Sequence, residues 1–282
     1  MGSVDTAARL DSRTEVLAQL TAGIADLTTG DRWRSFLAMQ SRFHHYSAGN
    51  VVLIAAQCPG ATRVAGFAAW KSMGRAVRKG ERAIWILAPL VARDEVAADG
   101  DSAPAVRGFR RVAVFDLAQT DGAPLPSPCE RLKGEVSGEQ YPRLVAVAHR
   151  IGFLVDDAPL PEGTNGECHF AERRLRIRTG NSEVQRVKTL AHELGHAVLH
   201  EFEVDRAKAE LEAESIAYVV CRSLGIDSGT YSFGYVATWA GGGDAAITAI
   251  RGSCDRIAST AHMILEAAAS FSSGRIKGGA SG

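Results

Sequence analysis

The chain has 282 residues, of which 46% are hydrophobic and 23% charged, a composition typical of a soluble globular protein with room for two ordinary domains. Its 32 basic residues balance 32 acidic ones, so net charge excludes neither nucleic acid nor protein as a partner. The sequence has five widely spaced cysteines, no signal-peptide core and no membrane-length apolar run, which predicts a cytoplasmic protein with reduced thiols.

The first half of the chain is predicted to mix helices and strands. Helical spacing of apolar residues predicts helices over 14–28, 31–44, 48–57 and 67–73. β-Branched and apolar runs predict strands over 83–91 and 109–115. Two segments of loop composition, 92–108 and the proline-bearing 120–130, favour a domain boundary near residue 125, which gives domains 1–125 and 126–282.

The second half is predicted to be mainly helical. Residues 167–178 alternate around a polar turn and indicate a β-hairpin. Asn181 or Ser182 can cap a helix that ends near residue 200. Further helices are expected over 139–151, 206–224, 233–240 and 244–271, and the tail after 271 has a disordered composition. The predicted fold class is α+β, with a mixed α/β first domain and a mainly helical second domain that carries a small β-hairpin.

The segment TLAHELGHAVLH, residues 189–200, has the composition of a metal site. On a helix, His192 and His196 project from one face about 6 Å apart and can chelate one Zn²⁺ ion. Glu193 follows the first histidine and can act as general base on a water molecule. Gly195 and Ala197 leave room for another element to pack closely on this helix.

A catalytic zinc site needs a third protein ligand, and His200 does not fit. It lies roughly 12 Å along the helix axis from His192, too far for one ion. We therefore expect His200 to be a surface or helix-terminal residue. The next helix offers Glu210, Glu212 and Glu214. Glu214 lies on an apolar stripe, where a buried carboxylate needs a partner, so it is the preferred ligand; Glu212 remains a rival and Glu210 could orient a histidine.

HELGHAVLH followed by ELEAESIAYVV resembles the zinc peptidases of the ImmA/IrrE type. Their E-x-E-A-N-x-F-A signature aligns on Glu212 and Glu214, although Ile216 stands at the asparagine position and a shift of two would align Glu210 and Glu212. The resemblance implies a zincin-like domain with Zn²⁺ ligands His192, His196 and Glu214, and with Glu193 as the catalytic base that cleaves a protein substrate. Tyr231 and Tyr235 are candidate donors to the oxyanion.

A basic segment, residues 63–82, carries six cations and one carboxylate, a local net charge of +5 in a neutral chain. Cations interleaved with aromatic rings are typical of surfaces that bind single-stranded nucleic acid. The predicted DNA-binding residues are Arg63, Trp70, Lys71, Arg75, Arg78, Lys79 and Arg82. The alternative is a solvated basic face with its aromatic residues, Phe67 and Trp70, in the core.

Four blocks in the first half, YSAGNVVL, GFAAWK, GRAVRKGE and VFDLAQTDG, resemble the N-terminal domain of ArdC-type antirestriction proteins. This resemblance implies that the first domain binds single-stranded DNA beside a metallopeptidase domain, in antirestriction, mobile-element or stress-response function. Two alternatives remain open: a DNA-binding protein whose zinc site is structural or vestigial, and a regulatory peptidase whose first domain recognises protein.

Overall fold

The protein is represented by a computed structural model, and the structure describes residues 2–92, 105–124, 138–226 and 243–274. In chain order, the helices are α1 Gly2–Ala25, α2 Gly30–Arg42, α3 Ala48–Gln57, α4 Phe67–Ser72, α5 Gln140–Arg150, α6 Glu183–Leu199, α7 Arg206–Ser223 and α8 Gly243–Gly274. The strands are β1 Val64–Ala65, β2 Arg75–Val77, β3 Ile84–Ala92, β4 Ala105–Asp116, β5 Thr120–Gly122, β6 Leu154–Ala158, β7 Gly166–His169 and β8 Arg174–Arg178. The prediction of an α+β fold is confirmed.

The chain divides into two compact units. The first comprises Met1–Ile24 and Gly49–Leu125, and the second comprises Ala25–Ala48 and Pro126–Gly282. The second unit therefore includes α2, which precedes most of the first unit in sequence. Trp33 on α2 is fully buried, and its indole Nε1 donates a hydrogen bond of 2.9 Å to Ser215 Oγ on α7.

The first unit is built around an antiparallel sheet of order β1-β4-β3, in which β3 is an outer strand. Helix α3 supplies hydrogen bonds to that strand through two amide side chains. Asn50 exchanges two bonds of 2.9 Å with the backbone of Leu87, and Gln57 exchanges two of the same length with Trp85. Asn50 and Gln57 lie two helical turns apart on one face, so the helix takes the place of a neighbouring strand.

Residues 120–122, predicted as part of a loop, form strand β5, which pairs with β2. The guanidinium of Arg75 donates to the carbonyl oxygens of Thr120, Gly122 and Ala123. Gly122 has φ 146°, and a Cβ there would lie 2.6 Å from the carbonyl oxygen of Gly74. The loop prediction was wrong because this pair of short polar strands depends on contacts distant in sequence, which leave no periodic pattern.

The second unit packs α2 and α5–α8 with a sheet of order β6-β8-β7. The hairpin predicted over 167–178 is confirmed as the antiparallel pair β7–β8. Strand β6, which was not predicted, pairs with β8 in parallel. Ser182 caps α6, its Oγ accepting a bond of 3.3 Å from the backbone N–H of Gln185.

The other predicted helices are confirmed with shifted ends, except the one over 233–240, which lies outside the described residues. Helix α1 starts at Gly2 instead of residue 14, and β4 starts at Ala105 inside a predicted loop. The predicted boundary near residue 125 falls where the structure is not described. The tail predicted after 271 begins with three residues that belong to α8, and the rest of it also lies outside the described residues. No helix in the described part of the chain is long and apolar enough to span a bilayer.

Replacing Asn50 by alanine should destabilise the first unit, because the N–H and C=O of Leu87 then lose their partners at a part-buried strand edge. The expected loss in free energy of unfolding is about 1–3 kcal/mol, measured by urea denaturation. The control is Gln19→Ala on the exposed face of α1. Equal stability of the two variants would contradict the edge role of Asn50.

Candidate functional site

Helix α6 presents His192 and His196 on one face. Their Nε2 atoms lie 3.0 Å apart, and both rings are largely buried. Gly195, on the same helix, packs against α7: a Cβ added there would lie 3.1 Å from the Cα of Ala213. This close approach brings the carboxylates of α7 within reach of the two imidazoles.

Glu210 is the carboxylate that faces both Nε2 atoms. Its Oε2 lies 3.4 Å from His192 Nε2 and 3.8 Å from His196 Nε2. One donor atom from each of the three residues falls within 4.8 Å of the others. Tetrahedral zinc with bonds of 2.0–2.1 Å separates its ligand atoms by about 3.3 Å, which the observed distances bracket. The donor set therefore fits a divalent metal ion.

Glu214, the predicted third ligand, lies on the other side of the His192 ring. Its Oε2 is 3.3 Å from His192 Nδ1, and its Oε1 is 3.2 Å from Lys188 Nζ. The structure thus brings Glu214 to His192 but not to the paired Nε2 atoms. The apolar stripe on α7 does not identify the ligand among the three glutamates, because α7 is buried around most of its circumference. The ligand pair His192 and His196 instead faces an open cleft.

Of the two positions expected for His200, the helix terminus is confirmed and the surface was wrong. It is the C-terminal cap of α6, only 5% exposed, and its Nδ1 lies 3.0 Å from His196 Nδ1. Its Nε2 lies 3.0 Å from Oε2 of Glu212, which is fully buried. Glu212 also accepts hydrogen bonds from Ser253 Oγ at 2.6 Å and from the Arg256 guanidinium at 2.9 Å. Glu212, the alternative to Glu214 as third ligand, is therefore part of a buried polar network.

These contacts define consistent tautomers for both histidines. If Nδ1–H of His192 donates to Glu214, its Nε2 lone pair is available to a metal ion. If Nδ1–H of His196 donates to His200, the Nε2–H of His200 can donate in turn to Glu212. All three glutamates of α7 thus act on the two histidines. Glu210 faces their Nε2 atoms, Glu214 contacts Nδ1 of His192, and Glu212 acts on Nδ1 of His196 through His200.

The site concentrates negative charge. Burial opposes protonation of His192, but hydrogen bonds to Glu210 and Glu214 and nearby carboxylates outweigh it and raise the pKa of His192 to about 9. Hydrogen bonds from the two histidines lower the pKa of Glu210 despite its partial burial. The pKa of Glu214 is also lowered, because His192 and Lys188 outweigh burial. The carboxylates thus favour a bound cation, whether proton or metal.

Glu193 lies at the edge of the cleft, 6% exposed. Burial raises the pKa of its carboxyl, which makes the carboxylate a stronger base. It contacts β7 so closely that a Cβ at Gly166 would lie 2.7 Å from Glu193 Oε1. Burial and the charge of Glu193 raise the pKa of the neighbouring Cys168 to about 12, so this thiol stays protonated and is no nucleophile at neutral pH.

The cleft has a volume of about 630 Å³ and is lined by α6, α7 and the outer strand β7. Gly166, Glu167 and Cys168 of β7 face it. Tyr231 and Tyr235, the candidate oxyanion donors, lie outside the described residues.

In the basic segment, the two aromatic residues have different environments: Trp70 lies in the core, as the alternative interpretation had it, and Phe67 is exposed. Trp70 is fully buried, and its Nε1 donates a bond of 2.9 Å to the carbonyl oxygen of Phe115. A stacking role for Trp70 is therefore not supported, because its ring is unavailable to a base. Phe67, one turn earlier on α4, is 60% exposed.

The cations of the basic segment divide into two groups. Arg75 is bound to β5, and Arg78 pairs with Glu81 at 2.7 Å and with Asp121 at 3.5 Å. The guanidinium groups of these two arginines are engaged within the protein, although Arg78 is itself exposed, and Arg63 is half-buried. Lys71, Lys79 and Arg82 are exposed and are the members best placed to meet phosphate.

A second aromatic and cationic surface lies on the β3–β4 hairpin and was not predicted. Phe109 is 47% exposed and shares a strand face with Arg111, whereas the exposed Arg110 between them points to the other face. The Arg111 guanidinium lies 3.7 Å above the Trp85 ring. The run GFRRV carried this signal, but the prediction for 109–115 was a strand without an exposed face, and one face of an edge hairpin can remain in solvent.

Comparisons with known proteins agree with the two-part organisation. Residues 11–115 match the model of the N-terminal domain of anti-restriction factor ArdC. Residues 149–221 match the model of the IrrE N-terminal-like domain, the M78 peptidase family.

The chain is also similar to an uncharacterized protein of Bacillus anthracis, with 28% identity over 245 residues that cover 71% of this chain and 41% of that protein. It thus spans less than half the length of this relative. Two crystal structures of the antirestriction ArdC protein from the R388 plasmid are similar. The metal-free form has 20% identity, covering 82% of this chain and 86% of that one with a TM-score of 0.48. The Mn(II)-bound form has 22% identity, covering 80% and 86% with a TM-score of 0.49. From the two family models, residues 11–115 resemble an ArdC-type N-terminal domain and residues 149–221 resemble the IrrE-like domain of the M78 peptidase family.

Proposed function

We propose that the protein is a zinc metallopeptidase that also binds single-stranded DNA. The convergence of His192 Nε2, His196 Nε2 and Glu210 Oε2 beside Glu193 carries the peptidase part of this proposal. Two imidazoles and one carboxylate form a donor set typical of catalytic zinc, with one position left for water. Glu210 replaces Glu214 as the proposed third ligand, and Glu214 orients His192.

When bound, Zn²⁺ supplies Lewis-acid chemistry, since it acidifies water and polarises a peptide carbonyl. Glu193 accepts the proton of the attacking water and delivers it to the leaving amine. Its buried position favours this role, because a carboxylate with a raised pKa holds the proton better between the two steps. The outer edge of β7 can bind an extended peptide through backbone hydrogen bonds, which favours an unfolded or extended protein segment as substrate.

In the first unit, exposed rings and exposed cations support binding of single-stranded DNA. Phe67 and Lys71 lie one turn apart on α4, and Lys79 and Arg82 follow in the same basic segment. Phe109 adds a second exposed ring on the hairpin, on the same strand face as Arg111. Bases can stack on the rings while the cations neutralise phosphates. With the likeness to the anti-restriction factor ArdC, these features favour a role in antirestriction, mobile-element establishment or stress response, in the cytoplasm.

Removing the third ligand should cost more metal affinity than removing the residue behind a ligand. Glu210→Gln should abolish tight zinc binding at this site, whereas Glu214→Gln should weaken it by about 10–100-fold. Competition with a chromogenic chelator measures both affinities. Glu183→Gln, on the exposed first turn of α6, is the control. A stronger loss in Glu214→Gln than in Glu210→Gln would instead support Glu214 as the ligand.

Replacing the base should stop cleavage without removing the metal. Glu193→Gln should retain zinc and lose about 10²–10⁴-fold in peptide cleavage, because proton transfer is lost while the ligands remain. The measurement is a proteome comparison of host cells carrying wild type, Glu193→Gln or Glu183→Gln, in search of a protein cleaved by the first and third only. Unchanged biological activity of Glu193→Gln would favour a structural or vestigial zinc site.

The DNA-binding surface makes a prediction about salt and stacking. Phe67→Ala should weaken binding of a labelled single-stranded oligonucleotide by about 1–3 kcal/mol, the usual contribution of one stacked base. Lys79→Gln should lower the slope of log K against log salt by about 0.7, the loss of one phosphate contact. Arg251→Gln, exposed on α8 in the second unit, is the control. An absence of binding at low salt would favour a first domain that recognises protein.

A further inference from the structure

A second group of metal-binding side chains lies in the second unit, away from the cleft. His44 and His45 follow the end of α2, and His262 and Glu266 lie one turn apart on α8. We call these four residues the second histidine cluster. None of them lines the cleft of His192 and His196, and none belongs to the HELGH motif.

The four side chains converge on one point. Each offers one donor atom, and all four atoms lie within 4.8 Å of one another. The ring centroids of His44 and His45 are 3.9 Å apart, and that of His262 is 5.9 Å and 5.4 Å from them. Nδ1 of His45 is 3.7 Å from Oε1 of Glu266. Tetrahedral zinc spaces its ligand atoms by about 3.3 Å, so small side-chain rotations suffice to bring the four donor atoms to the distances that the ion requires.

The two half-buried members of the cluster, His44 and His262, each have a buried ring nitrogen that lacks the hydrogen bond such an atom normally makes. Nδ1 of His44 and Nδ1 of His262 are both inaccessible to solvent and have no hydrogen-bond partner among the described residues. A buried polar atom without a partner is uncommon and often marks the place of an ion. Burial, then the proximity of His45 and His262, lowers the pKa of His44 to about 4, so its ring nitrogen is a neutral donor at pH 7.

We propose that His44, His45, His262 and Glu266 bind a second divalent metal ion, with Zn²⁺ as the best fit to three imidazoles and one carboxylate. Four protein ligands fill the coordination sphere of tetrahedral zinc and leave no position for substrate, so the site is structural. The exposed His45 and Glu266 give the ion access from solvent.

The bound ion would cross-link two distant parts of the second unit. It would join the end of α2 in segment Ala25–Ala48 to α8 near the end of the described chain. Segment Ala25–Ala48 is inserted in sequence before most of the first unit, so a link that fixes it to α8 stabilises the second unit against local opening. Helix α8 also supplies Ser253 and Arg256 to Glu212, and the same cross-link would hold them in place.

The test counts metal ions on the full-length protein. Wild type, loaded with Zn²⁺ and freed of excess, should contain about two ions per chain by mass spectrometry. His45→Gln/Glu266→Gln removes the two exposed ligands, leaves the core intact and should reduce the content to about one. His192→Ala/His196→Ala should also retain about one, and the four-fold variant should retain none. Co²⁺ is the spectroscopic probe, because a four-coordinate site gives an intense visible absorption that His192→Ala/His196→Ala should keep.

His149→Ala is the control, since His149 is exposed and belongs to neither group. In the His192→Ala/His196→Ala background, Zn²⁺ should raise the melting temperature, and this rise should vanish with His45→Gln/Glu266→Gln. The proposal is overturned if His45→Gln/Glu266→Gln holds as many ions as wild type, or if His192→Ala/His196→Ala holds none. Neither result depends on peptidase activity, so failure here is distinguishable from failure of the proposed function.

Discussion

The approach of α6 to α7 at Gly195 and Ala213 is the contact on which the candidate metal centre depends. Its closeness, 3.1 Å from a Cβ built at Gly195 to the Cα of Ala213, leaves no space for a larger residue. At this separation, Glu210 on α7 reaches the Nε2 atoms of both histidines. A bulkier residue at position 195 would move all three carboxylates of α7 away from the imidazoles together.

Three glutamates at alternate positions of one helix occupy three different environments. Glu210 is half-exposed and faces the cleft, Glu214 bridges Lys188 and His192, and Glu212 is fully buried among His200, Ser253 and Arg256. Their spacing explains the division, because residues four apart share a face whereas the one between them points away. A buried carboxylate is tolerable only with several donors, and Glu212 has three.

In the first unit, the cations also differ in their partners: some bind groups of the protein, and others are available to phosphate. Arg75 and Arg78 reach carbonyl and carboxylate groups of the segment Asp116–Gly122, so the blocks GRAVRKGE and VFDLAQTDG are held together by their polar groups. Asp116 adds to this by accepting the backbone N–H groups of Thr62 and Arg63. A high local density of arginine therefore indicates cross-links as readily as a nucleic-acid surface, and the ion pairs and hydrogen bonds of each side chain tell the two apart.

The sequence by itself determined the features that depend on local order. These are the capped helix carrying His192, Glu193 and His196, the β7–β8 hairpin and most other helices, because periodicity and capping act over a few residues. Only the tertiary structure decided which carboxylate faces the imidazoles, that His200 is buried, that Trp70 is in the core and that β2 pairs with β5. Each of these is set by the rotation and separation of elements distant in the chain. Side-chain direction turns by about 100° between neighbours on a helix and reverses between neighbours on a strand, so a pattern of residue types cannot choose between them until the packing partner is known.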